Sequence, residues 1–72
     1  MVLKDGEIQK SYVVESIELP LHVERRLEAL GMISGTSVTI LNSKKRGALI
    51  IKVRGIRFAI GKQIAENIYV RG

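Results

Sequence analysis

Hydrophobic and polar positions along the 72-residue chain follow two periods, and the changes between them divide the chain into predicted elements. Asp5-Gly6 is a turn signal, and the β-forming run "SYVVESI" after it predicts a first strand over residues 11–17. In a two-residue period the polar Glu15 lies on the same face of this strand as the apolar Val13 and Ile17. We therefore expect either a β-bulge or an edge position for this strand.

The segment that follows, "PLHVERRLEAL", has the spacing of a short amphipathic helix. Val23, Leu27 and Leu30 recur at i, i+4 and i+7, with charged residues on the opposite side, which predicts a helix over residues 21–30. Pro20 suits the first turn of this helix, because the earliest helical N–H groups have no partner and proline has no N–H group.

The predicted helix ends abruptly in "LGMISG". Gly31 stands where a left-handed residue terminates a helix, and Met32 behind it is placed to fold back against Leu27, as in a Schellman ending. Gly35 then turns the chain into a strand that begins near Ser37, where the apolar period becomes two.

The remainder of the chain reads as short strands separated by turns. "NSKKRG" is a polar turn, Arg54-Gly55 predicts a tight hairpin, and "GKQIAE", which begins at Gly61, is long enough for one helical or 3-10 turn. The apolar positions expected to face inward are Val38, Ile40, Leu49, Ile51, Val53, Ile56, Phe58, Ile60, Ile68 and Val70.

About five strands, one helix after the first and a 3-10 turn before the last predict a small SH3-like barrel, closed or nearly closed. The length leaves room for one core, so we expect a single domain over residues 1–72. An OB-fold is the competing architecture. It places its helix between strands 3 and 4 and is longer.

Charge separates the chain into two unequal parts, although the formal net charge is only +5. Residues 1–43 hold four basic and six acidic residues, a balance of −2, whereas residues 44–72 hold eight basic residues and one acidic residue, a balance of +7. This asymmetry favours an anionic partner: nucleic acid, a lipid surface or an acidic protein face. A solvated surface that only keeps the domain soluble is the alternative.

Side chains suited to catalysis are sparse. The chain has no cysteine and one histidine, the seven carboxylates are scattered, and the seven glycines form no phosphate-binding motif. We therefore predict a non-enzymatic binding module with no catalytic, cofactor-binding or metal-binding residues. A weak metal site that joins His22 to Glu18, or forms across an oligomer interface, is the alternative.

Two further expectations concern location and nucleic acid. No apolar run approaches the ~20 residues of a membrane-spanning helix and the N-terminus lacks a signal-peptide pattern, so a cytosolic protein is expected. A basic nucleic-acid-binding barrel stays open as an alternative function. It is poorly supported, because such barrels stack bases on exposed aromatic side chains. Of Tyr12, Phe58 and Tyr69, only Tyr69 is predicted to be exposed.

The order of several motifs resembles the FeoA family of bacterial ferrous iron transport proteins, from about residue 3 to residue 70. The resemblance rests on "RRLEALGMISGTSVTIL" and "GALIIKVRGIRFAIGKQIAENIYV". Its most specific parts are Leu30-Gly31-Met32 with Gly35, the turn at Val53-Arg54-Gly55, and Ala59-Ile60 followed by Ile64-Ala65 and Ile68-Val70. Related domains follow a winged helix in iron-dependent repressors, for which these 72 residues have no room. A stand-alone FeoA-like domain is therefore expected.

The resemblance implies an SH3-like barrel and a partner, the membrane Fe(II) transporter FeoB with its cytosolic GTP-binding portion. It also implies an association with transition metal ions, which we expect to belong to the transport pathway. The membrane would be reached only through the partner, and a homo-oligomer stays open. If the chain instead supplied an arginine finger to the GTP-binding portion, the eligible residues would be Arg25, Arg26, Arg54 and Arg57.

An adaptor of this kind needs a docking surface, and two stretches are candidates. The helix-to-strand junction would supply shape and the basic half would supply charge. The candidate partner-binding residues are Leu30, Met32, Ile33, Lys44, Lys45, Arg46, Arg54 and Arg57. The residues assigned to structural turns are Pro20, Gly31, Gly35, Gly55 and Gly61.

Overall fold

The structure, a computed structural model that describes residues 1–72, contains one antiparallel sheet of five strands. The strands are β1 (Ser11–Ile17), β2 (Ser37–Ser43), β3 (Leu49–Val53), β4 (Ile56–Ile60) and β5 (Ile68–Arg71). Helix α1 (Leu21–Ala29) follows β1, helix α2 (Lys62–Ala65) precedes β5, and 3-10 turns span Leu3–Asp5 and Lys45–Gly47. The strand order is β4-β3-β2-β1-β5, so β5 returns to pair with β1.

The predicted five strands, and their order relative to α1, are confirmed. The sheet is not strictly closed, because β4 and β5 do not pair with each other. Its curvature still surrounds one core whose buried side chains are all apolar or aromatic. The core consists of Leu3, Tyr12, Val14, Leu27, Met32, Val38, Ile40, Leu49, Ile51, Val53, Ile60, Ala65, Ile68 and Val70.

The predicted inward positions of β4 are correct only in part. Ile60 is buried, but Phe58 is half-buried and the Ile56 side chain is 47% exposed. The reason is position in the sheet: β4 is an edge strand, so the layer above its apolar face thins out toward the hairpin that joins it to β3.

Strand β1 contains the bulge that Glu15 predicted. The pairing register with β5 shifts between Val14, which faces Val70, and Ser16, which faces Tyr69. Glu15 is the extra residue and its side chain stays exposed, so the polar residue does not enter the core.

Helix α1 begins at Leu21, as predicted, and ends at Ala29, one residue before the predicted end, while Pro20 precedes the first turn instead of lying in it. Pro20 is the N-cap residue with an extended backbone (φ −54°, ψ 146°), and helical geometry begins at Leu21. The carbonyl of Pro20 accepts hydrogen bonds from the N–H groups of Val23 (2.9 Å) and Glu24 (3.0 Å). Pro20 therefore limits the helix by its conformation and costs no helical hydrogen bond.

The end of α1 is the predicted Schellman motif. Gly31 has φ 97°, its N–H group donates to the Glu28 carbonyl (2.9 Å), and the Met32 N–H group donates to the Leu27 carbonyl (3.0 Å). Met32 is fully buried in the same core as Leu27. The junction that follows α1 is thus held by both backbone hydrogen bonds and apolar packing.

The turn before β5 is α-helical and not the 3-10 turn that was predicted. The N–H groups of Ala65 and Glu66 donate to the carbonyls four residues earlier, at Gly61 (3.0 Å) and Lys62 (2.9 Å). Ala65 is fully buried, which fixes this single turn against the core.

Candidate partner-binding surface

The two edges of the sheet differ in whether another segment of the chain covers them. At the β5 edge, Val2 forms a β-bridge with Tyr69, and the Val70 N–H group donates to the Met1 carbonyl at 2.8 Å. The fully buried Leu3 side chain holds this N-terminal segment in place. The β5 edge is therefore covered by the first residues of the chain, and β4 is the edge that remains open.

The hairpin between β3 and β4 determines which backbone groups of β4 face away from the sheet. Arg54 and Gly55 both have positive φ (51° and 81°), as in a type I′ turn, so Val53 and Ile56 form the hydrogen-bonded closing pair. Bonded and non-bonded pairs alternate in an antiparallel ladder. The N–H and C=O groups of Arg57 and Ala59 therefore point to the open edge.

An apolar groove of about 170 Å³ lies between α1, β4 and α2 beside this edge. Its position follows from the edge position of β4, because no further strand lies beyond the apolar face of β4. The lining residues are Val23, Arg26, Leu27, Leu30, Phe58, Ala59, Ile60 and Ile64. Arg26 is the only lining residue that carries a charge, so the groove can bury apolar side chains but has no group to donate or accept a proton.

Cations without carboxylate partners lie near the open edge and at the end of α1. Lys52 on β3 lies directly opposite Arg57 on β4, two like charges that weaken this strand pairing. The aliphatic part of Arg54 lies over Gly31 at the end of α1, since a Cβ atom placed on that glycine would be 3.0 Å from the Arg54 Cδ atom. No carboxylate lies within 4.0 Å of any of these three charges.

The polar turn adds further cations near the end of β4 that leads into α2. Arg46 is in the left-handed region (φ 66°), and the Lys62 side chain lies across Gly47, so this turn and α2 are in contact. Lys44, Lys45 and Arg46 are all exposed. The two ion pairs of the chain lie elsewhere, between Lys10 and Glu7 (3.6 Å) and between Arg71 and Glu15 (3.7 Å).

The structure separates the predicted docking residues into three groups. Met32 is fully buried, and its prediction as a partner contact is wrong because the Schellman ending directs it into the core. Leu30 is half-buried at the groove, whereas Ile33 is 41% exposed in the loop after α1. The remaining candidates are exposed cations, namely Lys44, Lys45, Arg46, Arg54 and Arg57.

The groove itself was not predicted from the sequence. The sequence predicts that Phe58 faces inward and that Val23 lies on the apolar face of the helix, and it assigns Ile64 no role; all three are only partly buried and line the groove. No local signal marks the groove, because it depends on the pairing of β5 with β1, which leaves β4 at an edge with no strand beyond its apolar face.

The chain contains no group of three or more His, Cys, Asp or Glu side chains that could hold a metal ion, and both His22 and Glu18 are exposed. No helix has the length and apolar character needed to cross a bilayer.

Comparisons with known proteins agree on one family. The model of the FeoA domain matches residues 1–72. An iron uptake regulatory protein (FeoA) of known crystal structure is 31% identical in sequence to this chain. The match covers 99% of this chain and 95% of that protein, with a TM-score of 0.88. Comparison of the sequence with curated proteins found no significant match.

Two further solved structures have named sources. FeoA of Stenotrophomonas maltophilia, solved as a zinc complex and described as a prokaryotic SH3 domain protein, is 31% identical over 97% of this chain and 88% of its own (TM-score 0.81). FeoA of Chlorobium tepidum is 25% identical over 99% of this chain and 69% of its own (TM-score 0.92).

Proposed function

The chain belongs to the FeoA family, and we propose that it is a non-enzymatic accessory protein of ferrous iron uptake that binds the cytosolic portion of a FeoB-type transporter. The membership and the SH3-like fold that the motifs predicted are confirmed, as is the link to ferrous iron transport. In this proposal the chain stays on the cytosolic side and reaches the membrane only through its partner. Iron is the transporter's cargo.

The observation that carries the proposal is the open β4 edge, which combines an apolar groove on one face of the sheet with nearby cations that have no carboxylate partner. Interfaces draw most of their affinity from a few buried apolar contacts, while rim charges set partner choice and association rate. The groove offers buried apolar contacts through Phe58, Leu30 and Ile64, and the cations offer the charges. It has no nucleophile, general base or metal ligand, which supports docking over catalysis.

Nucleic acid is a less suitable partner for this surface. Sequence-tolerant binders place exposed aromatic side chains among their cations. Tyr69, 39% exposed, lies at the opposite edge on β5, Tyr12 is buried, and Phe58 faces the apolar groove. The cations near β4 therefore have no base-stacking platform beside them.

A binding measurement with matched charge reversals tests the proposal. The purified chain is titrated with the cytosolic portion of FeoB by calorimetry at low and at physiological salt. We expect binding that weakens with salt, and a loss of about tenfold or more in affinity for the double variant Lys45→Glu/Arg46→Glu.

The matched control is Lys10→Glu/Arg71→Glu, which changes the net charge equally but reverses two cations that already have carboxylate partners away from the groove. It should bind like the unmodified chain. An equal loss in both double variants would show that only net charge matters, and absence of any binding at low salt would contradict the proposed function. A steep salt-dependent shift with oligonucleotides, and none with FeoB, would favour the nucleic-acid alternative.

A further inference from the structure

We infer that the partner contributes an extended, acidic segment that adds to the sheet as a sixth strand beside β4, with its apolar side chains in the groove. This inference rests on the proposed function and specifies the binding mode and the chemistry of the partner segment. Three features carry it: the unpaired backbone of β4, the position of the groove, and the unpaired cations.

The backbone of β4 offers a template for strand addition. The N–H and C=O groups of Arg57 and Ala59 face the open edge, and no other segment of the chain pairs with them. An added strand of about five residues would span the ~17 Å length of β4 and satisfy these groups. The β5 edge cannot accept a strand in the same way, because Met1 and Val2 already occupy it.

The groove determines the side chains of the added strand. Successive residues of a strand point to opposite faces, so every second side chain would enter the space between β4 and α1. That space is lined by Val23, Leu30, Phe58 and Ile64 and holds no polar side chain apart from Arg26 at its margin. The inward positions of the segment are therefore aliphatic or aromatic, and small in total volume, because the groove measures only about 170 Å³.

The cations determine the charge of the segment. Arg57 already faces Lys52 across β3, with no carboxylate within 4.0 Å of either. An acidic residue on the outward face of an added strand would lie beside Arg57 and turn an unfavourable cross-strand pairing into a favourable one. Arg26, within the wall that α1 forms, and Arg54, over Gly31 at the end of that helix, would favour acids that flank the segment.

The same charges argue against a second copy of this chain as the occupant. Pairing of β4 with β4 would place the cations of one copy against those of the other, around Arg57 and Lys52 on each side. Like charges brought together across strands destabilise the pairing, which is also how natural sheets keep an open edge from self-association. The β4 edge therefore disfavours pairing with a second copy and remains accessible to an acidic strand.

The decisive measurement is amide hydrogen exchange followed by NMR on the labelled full chain, free and saturated with the cytosolic portion of FeoB. We expect exchange at the Arg57 and Ala59 amides to slow by about tenfold or more on binding, because they gain hydrogen bonds. The Val70 amide, already bonded to Met1, should be unchanged.

A pair of variants tests the same point by affinity. Ala59→Pro removes the outward N–H group without a loss of pairing to β3, as proline is accepted on edge strands, and should weaken binding by about tenfold or more. Ala59→Ser keeps that N–H group and should bind like the unmodified chain. Thermal melting checks that both variants fold. If the proline variant does not, the exchange measurement on the unmodified chain decides.

The outcomes separate this inference from the proposed function. If FeoB binds but protection appears elsewhere on the chain, or if Ala59→Pro binds normally, strand addition is overturned while the proposed function stands. If FeoB does not bind at all, both fail. Protection of Arg57 and Ala59 that rises with protein concentration in the absence of FeoB would identify a second copy as the occupant and overturn the acidic-segment assignment.

Discussion

The two edges of the sheet meet the same physical problem in opposite ways. Any sheet edge exposes a row of unpaired N–H and C=O groups that can recruit other chains. At β5 the N-terminal segment pairs with Tyr69 and Val70 and removes that row from reach. At β4 the row stays open, and the cations Lys52 and Arg57 beside it repel a second copy. A covered edge contributes stability, whereas a charged edge leaves a place for a partner.

Packing follows the same division. The side chains at the covered edge, Leu3, Ile68 and Val70, are fully buried. At the open edge Ile56 is 47% exposed and Phe58 is half-buried. Binding surfaces are commonly drawn from the less stable part of a fold. We therefore expect substitutions at the β5 edge to affect the free energy of unfolding and substitutions at the β4 edge to affect the partner.

The largest expected effect is at the covered edge. Leu3→Ala should lower the free energy of unfolding by about 2–5 kcal/mol, because it leaves a cavity in the core and loosens the segment that covers β5. Ile56→Ala at the open edge should cost less than about 1 kcal/mol, since nearly half of that side chain is already in water. Urea denaturation of both variants measures the difference. Equal losses would show that the open edge is as firmly packed as the covered one.

A smaller loss of stability is expected from a substitution at Gly31, where α1 ends. Gly31→Ala should cost about 1–2 kcal/mol, because an L-residue is strained at φ 97° and the added Cβ atom would displace the Arg54 side chain.

Gly35→Ala is the matched control for this change. Gly35 has a similar φ of 89° and nothing within 4 Å of an added Cβ atom, so it should show the backbone strain alone. Thermal melting of the two variants isolates the Arg54 contact as their difference. A larger loss at Gly35 than at Gly31 would contradict the assignment of that contact.

Local signals accounted for most elements of the fold. The alternation in "LIIKV", the helix ending at Gly31-Met32 and the positive-φ turn at Arg54-Gly55 each depend on a few neighbouring residues, and each is confirmed. The bulge at Glu15 could be predicted for the same reason, since a polar residue on an apolar face has to be accommodated within its own strand.

What escaped prediction depends on contacts between distant residues. Pattern alone treats Phe58 and Ile60 alike, but their burial depends on whether α1 and another strand lie beyond β4. Met32 is a different case: the predicted Schellman ending already folds it back onto Leu27, and its full burial leaves it no surface to offer a partner. The basic half was evident from composition, but not the apolar groove between α1, β4 and α2.

The smallest expected effect on stability separates the roles of the two edges most clearly. Arg57→Glu replaces a like-charge pair with Lys52 by an opposite-charge pair directly across the strands. We therefore expect a gain of about 0.2–1 kcal/mol in the free energy of unfolding, largest at low salt. The same variant should lose about tenfold or more in affinity for the cytosolic portion of FeoB, because its carboxylate would repel an acidic strand. A more stable protein that binds less well would show that Arg57 is retained for the partner and not for the fold.

The corresponding reversal at the covered edge is Arg71→Glu, which replaces the ion pair with Glu15 (3.7 Å) by two carboxylates. Because both side chains are largely in solvent, the loss of stability should stay within about 1 kcal/mol, and affinity for FeoB should not change. We therefore expect denaturation to show opposite changes in stability for the two variants. Calorimetry should show weaker binding for Arg57→Glu alone. If Arg71→Glu weakened binding as much as Arg57→Glu, the partner would be sensing net charge, and the distinction between a covered edge and a binding edge would not hold.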